Sequence, residues 1–310
     1  MKHYRFIDYA TQGYIALVAV IIIALHNATV PIWAWLVVAH VVTLFVVHGL
    51  ICVASSRPQN RVLDLLRNFY PVLLYTGFYR ETGILSQMLH EGHLDGVFIK
   101  LDQIIFGCQP SLKLMQTFPS VWVSEVFYFA YFSYYLMIGG VGLALFFRNR
   151  KQFAHYVSVV SFVFYGCYLT YIFLPVIGPR IIYSGIAPFT PPPEALPVEA
   201  WVFPEAVQSG LMYQLMGFIY HYFETEGAAF PSSHVAIALV TAYFSFRYLP
   251  RIRWVHLVMA ILLCISTVYC RYHYAIDVLA GAATAALLLP LGNWCYGRWG
   301  GAGKSSSKNF

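Results

Sequence analysis

The stretch CRYHYAIDVLAG (270–281) opens a long apolar segment that continues as AATAALLL to residue 289, and it places Arg271, His273 and Asp277 together at one end of that segment. Charged groups beside a run of this kind are costly in hydrocarbon, so they mark a place where the chain needs them. Working outward, apolar runs of similar length recur along the chain. Of its 310 residues 59% are hydrophobic, 18% aromatic and only 10% charged, whereas a soluble domain carries about 25% charged residues. Several runs exceed the roughly 18 residues that cross a bilayer as a helix.

These runs place membrane helices at 10–27, 33–54, 62–80, 121–147, 153–175, 233–249, 254–270 and 274–296. The expected class is all-α: a polytopic membrane helix bundle of about eight transmembrane helices, with interfacial helices on the outer face. Arg67, Asn68 and Pro71 interrupt the third run. Residues 81–120 mix apolar and acidic groups, which suits short helices lying at an interface. Within 176–232, a Pro-rich stretch precedes a segment that spaces Val207, Leu211, Leu215 and Phe218 as on a helix, so another interfacial helix is expected over 203–223. No internal repeat or separate soluble domain is visible. The chain divides into N-terminal helices with an interfacial segment (1–120), a core (121–296) and a disordered cytoplasmic tail (297–310). No small-residue cleavage site follows the N-terminus, so the first helix is expected to be retained.

Most of the 19 Lys and Arg residues fall on one set of loops. The opposite set holds Arg80, Lys100, Lys113, Arg180 and Arg271. The positive-inside rule then puts both termini in the cytoplasm and 176–232, with the start of CRYHYAID, on the outer face. The expected location is an inner or plasma membrane, with the site on the periplasmic or lumenal side. The net charge of +6 carries no basic patch with interleaved aromatics, which argues against nucleic acid. The six Cys lack paired spacing for zinc or disulfides and read as small buried hydrophobes.

Three stretches converge on the outer end in this topology. PVIGPR leaves Arg180 just beyond the fifth helix; FPSSH opens the sixth with Ser232, Ser233 and His234; and CRYHYAID joins the seventh to the eighth. His273 and Asp277 are four apart and share a helix face. A carboxylate on one imidazole nitrogen fixes the tautomer and leaves the other as base or nucleophile. A helix start with serine hydroxyls suits an anion. Each feature has an ordinary structural reading: a polar pair that caps a helix, a serine N-cap, an Arg that snorkels to headgroups. Two His, one Asp and two Arg on one face are harder to explain that way. His90 and His93, with Glu91 and Asp95 nearby, form a weak metal motif that reads better as a solvated loop. No metal or other cofactor is called for.

Taken together, these residues resemble the type 2 phosphatidic acid phosphatase superfamily of integral membrane enzymes, whose motifs are K-x6-R-P, P-S-G-H and S-R-x5-H-x3-D. PSSH (231–234) matches the second with Ser233 for Gly, and HYAID matches the end of the third. The resemblance covers about 121–296. It implies His273 as nucleophile, Asp277 as its orienting partner, His234 as general acid and Arg180 as a phosphate ligand. Phe173 stands where the family has Lys, and Thr267 where it has Arg; Arg271 is a candidate replacement by charge and position. Together with RNFYPVLLYTGFYRE (67–81) and LDQIIFG (101–107), this pattern is similar to the inositol phosphorylceramide synthase branch. The implied activity is metal-independent lipid phosphatase or headgroup phosphotransferase chemistry through a phosphohistidine. Its substrate would be a lipid phosphate or phospholipid, with water or a lipid alcohol as acceptor. Arg180, Arg271, Ser232 and Ser233 would hold the phosphate. The rival class is a lipid transporter or scaffold that keeps the fold without the chemistry; an intact His234, His273 and Asp277 counts against it.

Overall fold

The computed structural model describes residues 3–90, 92–184, 201–223 and 225–299. The Pro-rich stretch and the tail from residue 300 lie outside them. The described residues are built from helices with no strand, the all-α architecture that the apolar runs require. A backbone in hydrocarbon must satisfy its own hydrogen bonds, and a helix does so within one segment.

Eight long helices form the bundle: α1 (Phe6–Leu25), α2 (Trp33–Ser56), α3 (Arg61–Leu85), α6 (Val121–Arg148), α7 (Arg150–Phe173), α11 (Ser233–Tyr248), α12 (Arg253–Tyr269) and α13 (Ala275–Trp299). Between α3 and α6 lie α4 (Asp95–Phe106) and α5 (Pro110–Thr117); between α7 and α11 lie α8 (Pro179–Ile182), α9 (Glu205–Gln208) and α10 (Leu211–Phe223). Each long helix falls where an apolar run predicts one, within a few residues at each end.

Five of the eight, α1, α2, α6, α7 and α13, are long and apolar enough to cross a membrane by themselves. The other three depart for two physical reasons. At 16 and 17 residues, α11 and α12 span only about 25 Å at 1.5 Å per residue; α11 is enclosed by α6, α7, α12 and α13. In α3 the polar residues have partners on α1. Arg67 pairs with the buried Asp8, which also accepts the Tyr70 hydroxyl at 2.7 Å, and Arg5 donates to Asn68 at 3.2 Å. The charges that interrupt the apolar run are thus neutralised by a neighbouring helix.

The helices alternate in direction. At one end, Arg150 meets Asp64 at 3.4 Å, and His155 bridges Tyr248 and Asn293, both at 2.7 Å. At the other end, the Tyr269 hydroxyl donates to the Phe118 carbonyl and the Leu94 N–H to the Pro175 carbonyl. This second end carries α4, α5 and α8–α10. Outward faces are apolar, with Val20, Trp35, Phe45, Val46, Phe147 and Leu287 all exposed, as a lipid-facing surface requires.

The segment expected as one helix over 203–223 is broken. Glu125 of α6 accepts the Met212 N–H at 2.9 Å and sits against Gly210, so α10 starts afresh there. Its inner face is Met212, Met216, Ile219 and Tyr220. Leu211 and Phe218 point outward instead, because the break rotates α10 away from the phase that Val207 sets.

Candidate active site

The site is assembled from helix ends. At the close of α12 the Thr267 carbonyl accepts the N–H groups of both Tyr272 and His273 at 3.0 Å. The chain can fold back so tightly because Arg271 adopts a left-handed conformation (φ 61°), uncommon for a residue with a side chain. Asp277, in the first turn of α13, accepts the Tyr274 N–H at 2.9 Å and its backbone carbonyl accepts the Ser232 N–H at 3.1 Å. Ser232 then caps α11 through the Val235 N–H at 3.3 Å, which presents His234 in the first turn. Gly281 permits this junction: a Cβ there would stand 2.5 Å from the Ser232 carbonyl oxygen.

The two histidines meet. His273 Nε2 and His234 Nδ1 are 3.4 Å apart, and His273 Nδ1 lies 3.5 Å from an Asp277 carboxylate oxygen, an ion-pair distance beyond the ordinary hydrogen-bond range. Beyond them, His234 Nε2 is 3.0 Å from the Tyr131 hydroxyl, which is itself hydrogen-bonded to Tyr220. One proton assignment satisfies the series. A phenol donates to His234 Nε2, His234 Nδ1–H donates to His273 Nε2, and His273 Nδ1–H faces Asp277; both rings are then neutral. Burial also pulls His273 down to about 4, the Ala229 backbone opposing, so its imidazole is neutral near pH 7.

The cations divide. Arg180 borders a cavity of about 400 Å³ with Tyr128, Trp201, Phe203, Tyr213 and Tyr272. Its guanidinium carbon lies 5.2 Å from the Tyr220 ring centroid and 5.8 Å from that of Tyr272. Arg271 is fully buried; it donates to the Trp201 carbonyl and lies 4.4 Å from the Phe203 ring centroid, behind the cavity wall. Burial lowers its pKa to about 10, which leaves it charged at neutral pH. Tyr220, Tyr272 and Tyr131 stack in sequence, with centroids 4.2 and 4.3 Å apart. Arg180 faces Tyr220 and Tyr272 of this stack, and the His234 ring lies 4.9 Å from the third member, Tyr131. Ser232 is engaged as the helix cap, whereas Ser233 lines a second, apolar cavity together with His234.

Two aspartates of α4 complete the frame. Asp95 accepts the Ile177 and Gly178 N–H groups at 3.0 and 2.9 Å and the Tyr274 hydroxyl at 2.9 Å. Asp102 accepts the Ala275 and Ile276 N–H groups, both at 2.9 Å. Together they tie the Arg180 loop and the start of α13 to one helix. Gly178 (φ 103°) completes the contact, since a Cβ there would meet the Tyr272 carbonyl at 2.6 Å. Burial pushes both carboxyls up, and the hydrogen bonds they accept oppose it. The sequence reading missed this role, placing Asp95 only in a solvated loop, although residues seven apart on a helix share a face. His90 hydrogen-bonds to the Phe173 carbonyl at 2.9 Å. Among the described residues no group of three His, Cys, Asp or Glu could hold a metal ion.

Comparison with known proteins gives a consistent answer. Residues 98–291 match the PAP2 superfamily. A PA-phosphatase related-family protein of Dictyostelium discoideum is 36% identical over 66 residues, which is 21% of this chain and 12% of that protein. No solved structure matches.

Proposed function

The chain belongs to the PAP2 superfamily, and from that premise we propose that it is a membrane-embedded, metal-independent lipid phosphoryl-transfer enzyme working through a phosphohistidine. The observation that carries this reading is the contact between His273 Nε2 and His234 Nδ1, with Asp277 behind the other nitrogen of His273. In the proposed reaction the phosphoryl group enters between the two rings. His234 takes up a proton as the anionic phosphoryl group binds; His273 Nε2 then attacks phosphorus in line, the bond to the leaving oxygen breaks, and the His234 imidazolium gives that oxygen the proton, returning to the neutral ring. An incoming hydroxyl then yields its proton to His234 as it attacks, and the P–N bond breaks. Arg180 holds the phosphoryl oxygens from its cavity; Arg271 adds charge from behind Trp201 and Phe203; the α11 start with Ser232 and Ser233 completes the anion site.

The missing motif cations, Phe173 for Lys and Thr267 for Arg, favour a phosphodiester carrying one negative charge over a monoester carrying nearly two. This supports a headgroup phosphotransferase of the inositol phosphorylceramide synthase kind, acting on a phospholipid with a lipid alcohol as acceptor, at the outer face of the membrane. The test uses liposomes with chelator, offering phosphatidic acid, a polyprenyl phosphate, and a phospholipid with a lipid alcohol. A new phospholipid from the last pair, lost in His273→Ala, is the expected outcome. Free phosphate from a monoester would place the chain among the hydrolases, and equal behaviour of wild type and variant on every substrate would overturn the reading.

A further inference from the structure

An apolar cavity of about 630 Å³ reaches His234 and Ser233 from the flank of the bundle. Its floor is α7, through Tyr156, Val160 and Phe164, and its two walls are α3 and α6. Val72 and Thr76 of α3 and Tyr135 and Gly139 of α6 stand at the rim and are exposed. Both walls pack on α7. The opening between them therefore faces sideways, toward the surface where the other outward residues are apolar. The α3 wall precedes residue 98, where the family match begins.

We propose that this cavity binds one hydrocarbon chain of the lipid substrate and that Gly139 sets how much chain fits. The proposal rests on the phosphoryl-transfer reading above, since the inner end of the cavity is the general-acid histidine. Any occupant must lie against aromatic and aliphatic walls while its polar end meets an imidazole, and a lipid chain joined to a phosphate does both. The volume lies within the ordinary range for a ligand site. On α6, Gly139 keeps the passage wide: a Cβ there would meet nothing within 4 Å. A larger side chain at Gly139 therefore has room to fold and would project into space the chain would use.

The experiment compares dihexadecanoyl with dioctanoyl phosphatidylinositol, each with the same lipid alcohol as acceptor and presented to the full chain in the same micelles, as the ratio of kcat/KM for long over short chains. Gly139→Trp should lower that ratio by about tenfold or more, because each methylene kept out of an apolar site forfeits roughly fourfold in binding. Gly140→Trp, one residue on and outside the cavity, is the control and should leave the ratio as it is. An unchanged ratio in Gly139→Trp, or equal falls in both variants, overturns the proposal while the reaction itself stands. Should wild type turn over neither lipid, labelling by a phosphatidylinositol with a diazirine at its chain end decides. Cross-links on 72–79 and 135–143 that disappear in Gly139→Trp support the cavity, and cross-links indifferent to that substitution overturn it.

Discussion

Asp102 and Ala275 meet across 173 positions of sequence, the carboxylate accepting the N–H at 2.9 Å just two residues beyond His273. The start of α13, which orients the candidate nucleophile, is therefore capped from α4 as well as by its own Asp277, which accepts the Tyr274 N–H. Asp102→Ala leaves two helix-start N–H groups without that acceptor and should cost about 2 kcal/mol. Thermal unfolding in detergent checks this: a lowered midpoint for Asp102→Ala, partly restored in Asp102→Asn, is expected. A midpoint equal to wild type would show that the cap is dispensable.

His273→Ala should abolish turnover, and Asp277→Asn should lower kcat by about a hundredfold or more, because the amide no longer selects the tautomer with Nε2 free. Trapping with radiolabelled substrate separates the roles. Label should be absent from His273→Ala and accumulate slowly in Asp277→Asn. Label retained in His273→Ala would remove His273 as the nucleophile.

With His273 held near 4, kcat/KM should stay on a plateau down to about pH 5 and fall as the ring protonates below that. The sign for stability is the same. The folded pKa lies below the unfolded value of about 6.5, so the unfolded chain binds the extra proton between these limits. This group therefore lowers stability as the pH drops from about 6.5 to about 4 and changes nothing further below. A rate–pH profile with its acid limb near 6.5 would contradict the burial of this imidazole.

Gly281→Ala places a methyl group 2.5 Å from the Ser232 carbonyl oxygen and 3.1 Å from Val235 Cβ. Neither backbone can yield without moving His234 relative to Asp277, so a loss of about 1–3 kcal/mol is expected together with reduced kcat. Measuring unfolding and turnover on the same preparation tests both. Wild-type values in each would mean the α11–α13 junction tolerates displacement.

Tyr131→Phe deletes the hydroxyl 3.0 Å from His234 Nε2 and the partner of Tyr220. A fall in kcat of about tenfold is expected with KM nearly unchanged, since the phenol is placed to hold the acid and not the lipid. A change confined to KM would assign Tyr131 to binding instead.

The eight long helices were legible in the sequence because hydrocarbon leaves a spanning backbone one local solution, and a run of apolar side chains reports it directly. His273 and Asp277 were legible as a pair for the same kind of reason: four residues on a helix share a face whatever surrounds them. Tertiary structure alone decided the rest. It set Tyr131 and Tyr220 against His234, tied Asp95 and Asp102 to loops far along the chain, put Arg271 behind Trp201, and broke the helix at Gly210 where Glu125 reaches it. Those contacts join separate elements, and the periodicity of one element carries no information about which side chain of another will stand opposite it.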